Sequence, residues 1–392
     1  MFDSVPEEVK KLSIAFSLSF FGSSMMWLFL PVFFRQHVES VFLVGVLTSI
    51  PGVATIILDI PAGNLVQRMD SKLVTFAGLS LFVLPGIFYF TTLTVMMFFG
   101  KLIEGISKTL RWESGWYIAM EDSREENESE TLGVFTLGKS ISDVIGPIVG
   151  GLIAFYLGFR YNLLLWSLFG VLSAVFVFKF MGFSMEGSKK AMRSLFQKRT
   201  YKDDFRHFRE NWRDMKWPVS MILLHALVFS FFWVAIPLLL EDIGANYMVM
   251  GALFGIVALP RTFQAFFGKL ADKFGWLRTV QTSSFLMIIV LFIMGMLENI
   301  LLVGVMILLA RLCLTSISPS LHSLFDDSVA DEYEGEMVGF LEFFKHLGHT
   351  IGPFMAGSVA SRWSISASFF SASGVAVILF LIVSYLRFSL DL

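Results

Sequence analysis

Gly268-Lys-Leu-Ala-Asp-Lys-Phe-Gly-Trp-Leu-Arg278 is a charged stretch set between two long apolar runs. A second copy lies 205 residues earlier, at Gly63-Asn-Leu-Val-Gln-Arg-Met-Asp-Ser-Lys72. The duplication extends outward from these two turns. At an offset of 206, Ser24, Trp27 and Pro31 fall on Ser230, Trp233 and Pro237. In the same register Gly45 falls on Gly251, Lys139 on Lys345, Gly146-Pro147 on Gly352-Pro353, and Gly151 on Gly357. One such pair would be chance. A set spread along the chain in one register means two halves of like fold.

The halves are apolar. The chain has 392 residues, is 55% hydrophobic and only 16% charged, whereas a soluble domain is nearer a quarter charged. A helix needs ~20 mostly apolar residues to cross a bilayer. Twelve such runs can be drawn, at roughly 12–35, 42–66, 73–93, 95–120, 131–156, 160–181, 218–241, 246–271, 277–297, 300–325, 336–360 and 365–388. They lack period-two alternation, and lipid admits only helices or closed barrels. The expected fold is therefore an all-α membrane protein of twelve transmembrane helices. Residues 1–181 form one six-helix bundle, 182–217 a basic cytoplasmic linker, and 218–392 the second bundle.

Net charge is −2 and decides nothing, but its placement does. Ten of the 30 Lys+Arg lie between Lys189 and Lys216, while the proposed outer loops hold only Arg35, Arg160 and Arg362. Positive charge accumulates on the cytoplasmic side, so both termini are expected to be cytoplasmic. Phe205, Phe208 and Trp212 follow helical spacing among basic residues. They suit either a helix lying on the inner leaflet, in contact with membrane lipids, or a solvated linker. The single Cys313 sits in an apolar run and no disulfide framework exists. No cleavable signal is expected. No phosphate-cradling loop, nucleophile elbow or Cys-rich metal pattern occurs, which points away from an enzyme, a cofactor or nucleic-acid binding. A monomer is expected.

Charge inside the apolar runs marks the candidate site, because an ionised group at mid-bilayer costs ~3 kcal/mol or more. Lys101, Glu104, Lys108 and Arg111 form one stripe on the fourth run. Lys101 and Arg111 are candidates for binding an anionic group and Glu104 for titrating protons; the plain alternative pairs Glu104 with Lys108. His225 and Arg311 are added as cavity candidates. Counted from their inner ends, Asp143 and Arg261 differ in depth by only ~3 Å, which suggests an ion pair across the seam between halves. Glu342, His346 and His349 share one face of the eleventh run. That set could ligate a divalent metal, but Lys345 beside it opposes a metal. A seam cluster matching Lys139 and Asp143 is the stronger reading, with histidines suited to proton coupling. Cations at depth (101, 108, 111, 139, 261, 311, 345) outnumber acids (104, 113, 143, 342) and favour an anionic group on the cargo.

This layout resembles the major facilitator superfamily. Gly268, Leu270, Asp272, Lys273, Gly275 and Arg278 fit that family's inner-turn pattern. In the first half Gly63, Leu65, Arg68 and Lys72 fit, but Gln67 replaces the acid and Asp70 the second glycine. Gly138-x7-Gly146-Pro147-x2-Gly150-Gly151 is similar to the fifth-helix motif of antiporter-type exporters. Lys101-x3-Gly105 is similar to the fourth-helix basic motif. Asp59-x-Pro-x-Gly63 and Ser114-Gly115-x6-Asp122-Ser123 resemble a drug-efflux-like branch. The resemblance implies that helices 1, 4, 7 and 10 line a cavity and that helices 2, 5, 8 and 11 form the seam. It also implies alternating access about a midplane site and assigns gating to the Gly268–Arg278 turn.

The expected function is thus proton-coupled efflux of a small amphipathic, anionic solute, with no cofactor. The alternatives are a metal-cation carrier using Glu342, His346 and His349, or a non-transporting membrane sensor of the same fold.

Overall fold

The computed structural model describes residues 5–121, 123, 128–184, 200–328 and 334–389; linker residues 185–199 and Asp122 of the efflux-like motif lie outside them. Every regular element among the described residues is helical. In chain order these are α1 (Glu7–Ser24), α2 (Leu30–Arg35), α3 (Val41–Arg68), α4 (Ser71–Leu81), α5 (Val83–Phe90), α6 (Thr94–Glu121), α7 (Glu128–Tyr156) and α8 (Phe159–Phe180). Then follow α9 (Thr200–Asp242), α10 (Tyr247–Ala258), a 3-10 turn (Leu259–Phe263), α11 (Gln264–Phe274), α12 (Trp276–Met294), α13 (Ile300–Ser328), α14 (Glu334–Arg362) and α15 (Ile365–Ser389).

Twelve crossings were expected. Among the described residues eight helices are long and apolar enough to cross a membrane, or nine if the bent pair Tyr247–Arg261 and Phe266–Phe274 is one span. The three others depart for visible reasons. The first run is broken between Ser24 and Leu30. The fourth, α6, is 28 residues long but carries Lys101, Glu104, Lys108, Arg111 and Glu113. The eleventh, α14, is 29 residues long and dilutes its apolar content with Glu342, Lys345, His346 and His349. At 1.5 Å per residue both exceed ~40 Å, so length is not what they lack. A second departure is α9. The expected span began at residue 218, yet one 43-residue helix runs from Thr200. No Gly or Pro occurs from 200 to 217 to stop it, and Pro218 is accommodated within the helix.

The chain forms two compact units. Unit 1 contains Met1–His37, Ile50–Gln197 and Asn246–Gly255; unit 2 contains Val38–Ser49, Lys198–Ala245 and Ile256–Leu392. Unit 1 is built on Val9, Leu12, Phe16, Leu79, Ile118, Phe135 and Val177. Unit 2 is built on Val219, Ile222, Val280, Leu321, Phe325 and Val383. The duplicated sequence makes duplicated contacts. Asn162 Nδ2 donates to the Gly150 carbonyl at 2.9 Å, and 206 residues on Ser368 Oγ donates to the Ala356 carbonyl at 3.0 Å. Ser167 Oγ reaches the Val83 carbonyl at 2.9 Å, and Ser373 Oγ the Ile288 carbonyl at 3.0 Å.

The two charged turns solve the same corner differently. Gly275 enters α12 at φ 88°, a left-handed conformation that side chains resist. At the matching corner Asp70 keeps φ −59° and caps α4 with its side chain. Its Oδ1 accepts the Lys72 N–H at 2.9 Å and its Oδ2 the Ser184 N–H at 2.7 Å. Asp70→Ala should therefore lower stability by about 1–2 kcal/mol, read as a lower melting temperature by circular dichroism, while Asp70→Asn retains most of the cap. Glu8 meets Lys72 at 2.7 Å and Lys11 at 3.0 Å. Burial raises its pKa, but those two ammonium groups outweigh it and hold the carboxyl below its usual range. Its contribution is present above the ordinary glutamate value and lost as pH falls through the lowered one.

Candidate functional site

The charged stripe of α6 is the centre of unit 1. Lys101 is 4% exposed. Its Nζ lies 3.0 Å from Glu104 Oε2, and the Tyr89 hydroxyl donates to the same oxygen at 2.6 Å. The ammonium also sits 5.4 Å from the centre of the Phe34 ring and 5.9 Å from that of Tyr89. A buried charge needs such partners, because burial without them would strip its hydration. The Glu104–Lys108 pairing expected as the plain alternative is replaced: Glu104 turns to Lys101 and Tyr89, and Lys108 is exposed.

Two turns further on, Arg111 is also buried, at 6% exposed. One terminal nitrogen donates to Ser19 Oγ at 2.7 Å. The guanidinium packs 4.2 Å from the Phe82 ring and 5.5 Å from the Phe20 ring. Its Nε has no hydrogen-bond partner, an arrangement that leaves a buried donor to be satisfied by something that enters. Two buried cations thus stand on this helix, Lys101 with Glu104 and Arg111 with Ser19 and two rings.

Beside α6, Lys139 Nζ lies 2.6 Å from Asp143 Oδ2, and Ser24 Oγ donates to Asp143 Oδ1 at 3.2 Å. Arg261 was the expected partner of Asp143. Within unit 1 the two carboxylate oxygens of Asp143 meet Lys139 and Ser24, and Arg261 lies on the 3-10 turn of unit 2.

The equivalent place in unit 2 repeats the plan with different chemistry. Ser230 Oγ lies 2.9 Å from His349 Nδ1, as Ser24 does from Asp143. Gly146 and Gly352 lie under Ser24 and Ser230 respectively, with Pro147 and Pro353 next in α7 and α14. Glu342 is held by Lys345 at 2.7 and 2.9 Å, with His346 Nε2 at 3.9 Å. The metal reading of Glu342, His346 and His349 loses ground here. The carboxylate is taken by an ammonium and His349 turns to Ser230. Among the described residues no group of three His, Cys, Asp or Glu is placed to hold an ion. Arg311, 8% exposed, packs 5.5 and 5.6 Å from the Phe229 and Trp233 rings. His225 lines a small apolar cavity with Ser284, Met287, Leu314, Ile317 and Leu379.

The glycines divide into two groups. In unit 1 a Cβ added to Gly251 would fall 2.9 Å from the Gly151 Cα and against the Pro147 carbonyl. In unit 2 a Cβ on Gly45 would fall 2.7 Å from the Gly357 Cα and 2.6 Å from the Pro353 carbonyl. These two contacts are copies at the 206 offset. A Cβ on Gly63 or Gly268 would meet nothing within 4 Å among the described residues. Asp272, Lys273 and Arg68 are exposed and Asp59 is half-buried. Sequence reasoning missed Tyr89, Phe34, Ser19, Phe20 and Phe82, which carry no pattern inside their apolar runs.

An all-helical multi-pass protein that keeps ionised side chains inside its spans has the makings of a membrane transporter. The sequence profile of the Major Facilitator Superfamily matches residues 12–259 and again 219–390, and the chain belongs to that family of transporters. It is 27% identical over 119 residues to the MFS-type transporter ppzB of Metarhizium rileyi, covering 30% of this chain and 24% of that protein. The match thus spans about a quarter of that fungal relative. It is 24% identical over 291 residues to the uncharacterized MFS-type transporter YuxJ of Bacillus subtilis, covering 72% of this chain and 71% of YuxJ. The fold also matches the crystal structure of the human organic anion transporter MFSD10, with a TM-score of 0.65 at 17% identity over 96% of this chain and 100% of that one.

Proposed function

We propose that the chain is a secondary active transporter of the cell membrane that expels a small amphipathic, negatively charged organic solute in exchange for protons. The observation that carries this is the charge on α6: Lys101 is buried beside Glu104, and Arg111 is buried among Ser19, Phe20 and Phe82. A cargo anion would balance that charge, since unpaired buried charge is costly. MFSD10, a protein of like fold, is an organic anion transporter, which agrees with it, but fold alone does not fix cargo. Glu104 and Asp143 are the proposed proton carriers, each already ion-paired with a lysine neighbour that would be released on protonation.

The bundles 1–181 and 218–392 act as the moving halves, with the 182–217 linker and both termini in the cytoplasm. The glycine contacts Gly45–Gly357 and Gly151–Gly251 open as the turns at Gly63 and Gly268 close. The test is purified protein in liposomes loaded with a pH dye and offered a panel of organic anions, organic cations and divalent metals. An inward anion gradient should draw protons out and raise lumenal pH. Arg111→Gln should abolish that signal without loss of monodispersity. Flux with cations or metals alone would overturn the anion reading, and binding without flux would favour the sensor.

A further inference from the structure

The anionic cargo has a second half to be recognised, and unit 1 carries a group of rings placed for it. Trp112 and Trp116, one turn apart on α6, are stacked at 5.9 Å and 28°. Phe20 of α1 meets Trp112 edge-on at 6.2 Å, and Phe135 of α7 packs against both tryptophans at 5.9 and 6.2 Å. Core aromatics would be sealed, yet Trp116 is 38% exposed and Trp112 and Phe20 are half-buried.

Cations stand at the edge of this cluster. Arg111 lies 5.5 Å and Lys139 5.6 Å from the centre of the same Phe20 ring. Phe20 touches both Trp112 and Arg111, so one ring joins the tryptophans to a guanidinium. The Arg111 Nε–H has no partner within a side chain that is 94% buried (100 − 6).

The geometry points to an aromatic carboxylate as the cargo class, its ring seated against Trp112 and Phe20 and its carboxylate received by Arg111 and Lys139. This rests on the anionic reading above and adds the demand for a planar ring. Offset or edge-on contact with a ring rewards aromatic over aliphatic ligands, while the two cations reject an aromatic ammonium by like charge. Two arguments separate this from a plain interfacial tryptophan belt. Such a belt needs no cation, and here two cations share one ring. A belt also leaves no buried guanidinium donor unfilled.

The experiment is isothermal titration calorimetry on the purified full chain with three probes: 2-naphthoate, octanoate and benzylammonium. Naphthoate should bind about tenfold more tightly than octanoate, the equivalent of one good aromatic pair. Benzylammonium should not bind. Trp112→Leu should bring naphthoate down to the octanoate level and leave octanoate unchanged. Trp112→Phe should retain naphthoate binding, which shows that the site folds when a ring is present. Equal binding of naphthoate and octanoate, or an equal loss of both in Trp112→Leu, overturns the ring site and leaves the anionic reading standing. Preference for benzylammonium, or binding of no probe, overturns both.

Discussion

Valine at Gly251 is expected to abolish transport, and valine at Gly45 to do the same. Each glycine lies where a helix backbone runs against another backbone, so neither neighbour can move as a side chain would. A Cβ on Gly251 meets the Gly151 Cα and the Pro147 carbonyl; on Gly45 it meets the Gly357 Cα and the Pro353 carbonyl. Forcing extra carbon into such a contact costs about 1–3 kcal/mol. Spent on one state of a two-state machine, that shifts the equilibrium roughly 5- to 150-fold. Anion-driven flux in liposomes should fall accordingly, and thermal melting should drop by a few degrees. Gly374→Ala is the control, because a Cβ there meets nothing within 4 Å. Because the two sites are copies, an effect at one and none at the other would remove the paired gate. Normal flux in both would remove the glycine contacts from the mechanism altogether.

The duplication behind this pairing was legible in the sequence; the contact itself was not. The offset that aligns Gly45 with Gly251 also aligns Gly151 with Gly357, and backbone contact joins these four across repeats of one plan. Small residues survive at such places because helices must touch there. The charges were legible only as positions. That Lys101, Glu104 and Arg111 could not face lipid followed from the cost of burial; which groups satisfied them did not. Glu104 takes a phenol from Tyr89, and nothing distinguishes that tyrosine inside the apolar run 73–93. Asp143 takes its own neighbour Lys139, four residues back, a pairing that helical spacing allows and that the search for a distant partner overlooked. The 3-10 turn at Leu259–Phe263, which holds Pro260 and Arg261, was not legible, because the run 246–271 reads as one continuous apolar helix. The long α9 was hidden by composition: residues 200–217 are too polar to read as span, yet nothing in them ends a helix.

Glu104→Ala should cause the largest loss of stability of any single change in the bundle. The carboxylate is one acceptor serving two donors, the Lys101 ammonium at 3.0 Å and the Tyr89 hydroxyl at 2.6 Å. Removing it strands an ammonium that is 4% exposed, a change of about 3–5 kcal/mol when one partner of a buried pair is lost. Tyr89→Phe removes only a hydrogen bond to a charged group and should cost about 1.5–3 kcal/mol. The informative variant is the double replacement Lys101→Met with Glu104→Met, which deletes both charges at near-constant volume. It should recover most of the melting temperature lost by Glu104→Ala, because a matched apolar pair is often as stable as a buried ion pair. Flux should be absent, because one of the cations proposed to balance the cargo anion and one of the proposed proton carriers are gone. Stability and transport would then separate on one helix turn, as a site requires and a structural bridge does not. Full flux in the double variant would reduce Lys101 and Glu104 to a scaffold and leave Arg111 and Lys139 as the anion's receptors.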